Sequence, residues 1–90
     1  MELRSNVFHL VNLGRALAES ESWSRANEVV TKALELAPDH VEVLRVASML
    51  YWKQSNFAAA LAVLEKLKQL EPGNADHDTW IVAAKARLHP

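Results

Sequence analysis

Two prolines 34 residues apart, Pro38 and Pro72, set the frame into which this chain can fold. Shifted by 34, residues 7–40 lie over 41–74 without a gap. Val7 then meets Val41, Leu10 meets Leu44, Ala26 meets Ala60, Val29 meets Val63, Lys32 meets Lys66 and Leu36 meets Leu70. Gly14 falls on Ser48, Val30 on Leu64 and Trp23 on Phe57. A period of roughly 20–50 residues marks a stack of small units, none of which can bury its apolar face alone.

Within that frame the apolar residues recur at helical spacing. Val7, Leu10, Leu13 and Leu17 make one stripe; Ala26, Val29, Val30, Ala33 and Leu36 make the next. Val43, Leu44, Ala47, Leu50 and Tyr51 make a third, and Ala60, Val63, Leu64, Leu67 and Leu70 a fourth. Trp80, Ile81, Ala84 and Leu88 give a fifth. Two-residue alternation is sustained nowhere. The spacing predicts five helices, over 5–19, 23–36, 40–53, 57–70 and 75–88. Ser22, Asp39, Asn56 and Asn74 stand where N-caps are needed. Asp76 and Asp78 fall in the first turn of the fifth helix, where acids complement the helix dipole. The expected class is all-α, one domain over residues 1–90.

Composition narrows the function. Ten Lys and Arg stand against eleven Asp and Glu, for a net charge of −1. That balance gives no pull toward nucleic acid or an anionic membrane. The chain has no cysteine, so a disulfide scaffold, a thiolate zinc site and a cysteine nucleophile are excluded. The longest apolar run, Phe57 to Leu64, is eight residues, far short of the ~18 that span a bilayer. Met1 to Asn6 shows no export pattern, and a cytoplasmic protein is expected. Half of the residues are apolar. A 90-residue chain that apolar either packs unusually well or leaves apolar surface for another molecule.

The 34-residue unit resembles the tetratricopeptide repeat, a helix pair with the pattern W-x2-L-G-x2-Y, A-x3-F and P. Leu10, Leu13-Gly14, Leu17, Ala26, Val30 and Pro38 match it in the first unit, 7–40. Leu44, Ala47-Ser48, Tyr51, Ala60, Leu64 and Pro72 match it in the second, 41–74. Small residues at Gly14/Ser48 and Ala26/Ala60 let two helices cross closely, and proline stops the second helix. Leu replaces the tryptophan and Val or Leu the phenylalanine. The segment 75–88 resembles a capping helix in a third-unit position, without the motif. The resemblance implies two helix hairpins plus a C-terminal capping helix, a fragment of a right-handed α-solenoid. Trp23 and Phe57, recurring at one repeat position, are assigned to the core.

No catalytic constellation is legible. His9, His40, His77 and His89 include no pair three or four apart on one helix. Asp76-His77-Asp78 cannot converge on one ion, because neighbouring helical residues diverge by ~100°; it reads as a solvated helix start. There is no glycine-rich phosphate loop. No enzyme, cofactor or metal site is expected.

The resemblance implies a concave surface, lined by the first helix of each pair, where peptides or helices bind. Its inward positions map to Phe8, Val11, Arg15 and Ala18, and to Glu42, Arg45, Met49 and Trp52. Phe8, Val11, Met49 and Trp52 are the expected apolar anchors, with Arg15, Glu42, Arg45 and Lys53 setting register at the rim. Trp80 joins them, because Trp80 to Ala84 make the fifth helix apolar all round, a pattern that asks for cover on more than one side. The carboxylate clamp known in the family is not reproduced by Asn12, Arg45 and Lys53. The expected function is non-catalytic binding of an amphipathic helix or extended segment of another protein. As a small member with an apolar groove, this chain is similar to bacterial type III secretion chaperones, including co-chaperones that hold the needle subunit. In these, the concave face grips an amphipathic helix of the secreted protein, often with a second small helical partner. The alternative is a homo-oligomeric scaffold, at its simplest a homo-dimer, in which the apolar faces meet copies of themselves.

Overall fold

The computed structural model describes residues 3–89, with side chains from residue 7 onward; of the Met1–Asn6 stretch discussed above, residues 1 and 2 and the side chains of 3–6 lie outside them. The helices are α1 (Leu3–Glu19), α2 (Trp23–Leu36), α3 (Val41–Lys53), α4 (Phe57–Leu70) and α5 (Ala75–Leu88), and no strand occurs among the described residues. The predicted bounds hold to within two residues. None of the helices is long and apolar enough to cross a membrane.

The 34-residue period reappears in the loop hydrogen bonds. Ala26 N–H donates to the Ser22 carbonyl, and Ala60 N–H to that of Asn56. The Ala37 and Glu71 amides close α2 and α4 onto Ala33 and Leu67. Both hairpin turns have the same shape. Ser22 N–H reaches the Leu17 carbonyl at 2.9 Å, and Asn56 N–H reaches that of Tyr51 at 2.8 Å. These six-to-one bonds require a left-handed residue after the helix. Glu21 (φ 59°) and Ser55 (φ 60°) fill that position, again 34 residues apart.

Two expected caps hold and two do not. Asn56 accepts from Ala59 N–H and Asn74 from Asp76 N–H. Ser22 occupies the N-cap of α2 without a side-chain bond there; its hydroxyl lies 3.3 Å from that of Ser20. Asp39 does not cap α3. The cap residue is His40, and Asp39 instead pairs with Lys66 of α4 at 2.8 Å.

One cluster joins α1, α2 and α3 through Val7, Val11, Ala18, Ala26, Val30, Ala33, Val43, Val46, Ala47 and Leu50. Close approach depends on the small residues: Ala18, Ala26, Ala47 and Ala60 are fully buried, and a Cβ on Gly14 would lie 3.0 Å from Val30 of α2. A second cluster joins α3, α4 and α5 through Leu44, Leu64, Leu67 and Ile81. Asn27 of α2 and Gln54 after α3 exchange amide hydrogen bonds at 3.1 and 2.9 Å, tying the two hairpins side to side. The result is an α-solenoid fragment, 44 × 29 × 17 Å.

The last helix breaks the stacking rule. The backbone of α3 packs closely against both α1 and α2, but that of α5 packs closely against α4 alone, its links to α3 running through side chains. No Cα of α5 comes within 8 Å of one in α3. The all-round apolar pattern of α5 is therefore not answered by burial on two sides. Ile81 and Ala84 are buried, whereas Trp80 and Val82 are 48 % and 67 % exposed.

Candidate functional site

The gap between α3 and α5 is an open groove of about 500 Å³. Leu64 and Leu67 of α4 form its floor. Arg45, Ser48, Met49, Trp52 and Lys53 of α3 form one wall, a stripe at helical spacing. Asp76, His77 and Trp80 of α5 form the other. The walls meet through two tryptophans. The Trp80 ring meets the Trp52 ring edge to face, with centroids 4.8 Å apart. Trp52 in turn meets Phe57 at 5.0 Å, and the Arg87 guanidinium lies 5.3 Å over the Phe57 ring. Phe57 is thus half-buried between Trp52 and Arg87 rather than in the core, because α5 stops at the edge of α4's first turn. Trp23 is half-buried too, against the first cluster.

Of the residues expected to bind a partner, Arg45, Met49, Trp52, Lys53 and Trp80 line this groove. The others do not. Val11 is 4 % exposed and belongs to the first cluster, as does Ala18. Docking of α3 against α1 uses the positions that a lone first helix would leave open. Phe8 is 46 % exposed but lies outside the groove, edge-on to His40 at 5.7 Å.

Arg15, Glu42 and Arg45 do not stand free at a rim. They belong to a chain of alternating charge that crosses three helices. Arg15 of α1 lies 3.9 Å from Glu42, Glu42 pairs with Arg45 at 3.3 Å, and Arg45 reaches Glu71 after α4 at 3.3 Å. Glu71 then accepts from His77 Nε2 at 2.8 Å. An ionised carboxylate only accepts, so Nε2 carries the proton in that bond. His77 is 6 % exposed, which corrects the expectation of a solvated helix start. The hydrogen bond from His77, with help from Arg45, holds the Glu71 carboxyl below the usual carboxylate value, against the opposing effect of partial burial. Lys53 has no carboxylate partner among the described residues and stands at the groove's edge.

Sequence reasoning missed His77, Asp76 and Asn74 as groove residues. Their position depends on how α5 docks on α4, which helical periodicity alone does not give. Ser48 was within reach, lying in the 45–48–52 stripe of α3. Among the described residues no group of three His, Asp or Glu is placed to hold a metal ion.

A tetratricopeptide repeat family model matches residues 17–88. Sperm-associated antigen 1 of Rattus norvegicus is 36 % identical over 63 residues. That stretch is 70 % of this chain and 7 % of the rat protein, so the chain spans a small part of that relative. The period, the paired hairpins and the family match agree, and the chain belongs to the tetratricopeptide repeat family, whose members serve in general as non-catalytic protein-interaction modules.

Proposed function

We propose that the groove between α3 and α5 holds an amphipathic helix or extended segment of another protein. Apolar anchors of that segment sit between Met49, Trp52 and Trp80, over Leu64 and Leu67. The observation that carries this reading is the pair of tryptophans at the groove wall. Trp80 is held edge-on by Trp52 yet keeps 48 % of its surface in water. Aromatic residues in such a setting dominate binding energy because they offer large, rigid contact area. Lys53, without a carboxylate partner among the described residues, and Arg45, already shared between Glu42 and Glu71, supply the polar contacts. Val11 has no part in it.

The division into a first unit 7–40, a second unit 41–74 and a terminal helix 75–88 belongs to the same proposal. It is supported by loop hydrogen bonds and left-handed residues that recur 34 residues on. A type III secretion chaperone would be a special case of this groove. The apolar groove fits it, but the relative described above is a rat protein and lends that narrower role no support from kinship.

The test is a displayed peptide library selected on the chain and counter-selected on a Trp52→Ala/Trp80→Ala variant. Enriched peptides should be amphipathic and should move the Trp52 and Trp80 indole N–H resonances. Peptides that move only the Trp23 indole would sink the proposal.

A further inference from the structure

Trp80 turns toward the groove, and the opposite side of α5 is bare. Val82 is 67 % exposed there. Ala75, Thr79 and Ala86 are exposed as well. Residues 75, 79, 82 and 86 follow a four-three-four spacing, so they share one stripe of the helix. In the 34-residue register Val82 stands where Gly14 and Ser48 stand in α1 and α3. At Gly14 that face is covered by the next helix, with Val30 within 3.0 Å of a Cβ placed there. On α5 the same face carries no helix among the described residues.

The flanking charges say what fits it. α5 is acidic in its first turn, at Asp76 and Asp78, and basic in its last, at Lys85 and Arg87. Asp78 and Lys85 are two turns apart on one flank of the Val82 stripe, whereas Asp76 and Arg87 belong to the groove side, Asp76 in the groove wall and Arg87 over Phe57. The Asp78–Lys85 pair has its midpoint between Ile81 and Val82. We propose that this face docks the same face of a second copy of the chain, with the two α5 helices antiparallel about a two-fold axis beside Val82. Reversal sets Asp78 against the partner's Lys85, whereas a parallel pair would bring the acidic first turns together and the basic last turns together. Antiparallel helices also oppose their dipoles. Asp78 keeps its contact with Lys68 of α4 at 2.8 Å and shares its second oxygen across the axis. The small residues around Val82 allow the helices to approach to about 8–9 Å. An isologous contact of this kind buries one patch against its own copy. The grooves lie on the far side of each α5 and stay open, so dimer and groove stand or fall separately.

A 14-residue helix is about 21 Å long, so the contact is small for a specific interface and the dimer should form at tens of micromolar. Sedimentation velocity of the full chain from about 5 to 500 µM tests this. The wild type should pass from monomer to dimer, Val82→Glu should stay monomeric, and Lys85→Glu should weaken the dimer at least about tenfold. Asp78→Lys added to Lys85→Glu should restore dimerisation at least in part. Far-UV circular dichroism confirms that each variant folds; should Val82→Glu unfold, the charge pair decides. A monomer throughout the range overturns the proposal. So does a dimer that Lys85→Glu leaves unchanged.

Discussion

The indole of Trp80 meets that of Trp52 edge to face at 4.8 Å, although no Cα of α5 lies within 8 Å of α3. Two side chains thus bridge a gap that the backbones leave open. The gap is the groove, and the bridge sets its width. In a stack obeying the repeat strictly, α5 would lie on α3 as α3 lies on α1, and this space would be filled. Its existence follows from α5 packing its backbone closely on α4 while only side chains reach α3.

The bridge has a measurable strength. Trp80→Ala should cost about 1 kcal/mol of stability, since half of the ring is already in water. Trp52→Ala should cost about 2–3 kcal/mol, because Trp52 contacts both Trp80 and Phe57. A double-mutant cycle by chemical denaturation should give a coupling of about 1 kcal/mol. Additive losses would mean that the edge-to-face contact contributes nothing.

Glu21 and Ser55 hold left-handed backbone that glycine adopts freely. Glu21→Gly and Ser55→Gly should each raise stability by about 0.5–1 kcal/mol, read from the denaturation midpoint. Equal gains at the two sites would confirm that the turns are one motif used twice.

Gly14 sits at the α1–α2 crossing, with Val30, Val46 and Val29 about the space a Cβ would occupy. Gly14→Ala gains about 1 kcal/mol of helix propensity, and pushing Val30 aside should offset most of it. Gly14→Val should destabilise by about 2–3 kcal/mol, because stiff β-branched Val30 cannot move that far. Thermal unfolding of the two variants separates the cases.

Glu71 links the acid limb of stability to the α4–α5 joint. Its folded pKa is depressed below the ordinary 4.5, first by the His77 hydrogen bond. A depressed carboxylate contributes stability that is fully present above the unfolded pKa. That stability is lost as pH falls through the folded value. The wild type should therefore lose stability below about pH 4.5 more steeply than Glu71→Gln does. Parallel stability curves for the two proteins between pH 3 and 5 would contradict this.

The fold was legible because helix ends and close crossings are local. Pro38, Pro72, Asn56 and Asn74 stop or start helices by their own chemistry, and Gly14, Ala26 and Ala60 mark crossings by size alone. The site was legible in part. Met49 and Trp52 share a stripe that the helical period exposes, and Trp80 stands out in its segment. Val11 and the chain Arg15–Glu42–Arg45–Glu71–His77 were not, because each depends on distances between helices. The same holds for Asp39, which pairs with Lys66 instead of capping α3, and for Phe57, which stands at an edge beside Arg87.

The most direct measurement is the affinity of a library-selected amphipathic peptide for the wild type and for Trp80→Ala, with each denaturation midpoint determined alongside. The account predicts that Trp80→Ala keeps its fold and loses about 30-fold or more in affinity, as expected when an aromatic anchor is truncated. Equal affinity for the two folded proteins would place binding elsewhere and contradict the groove.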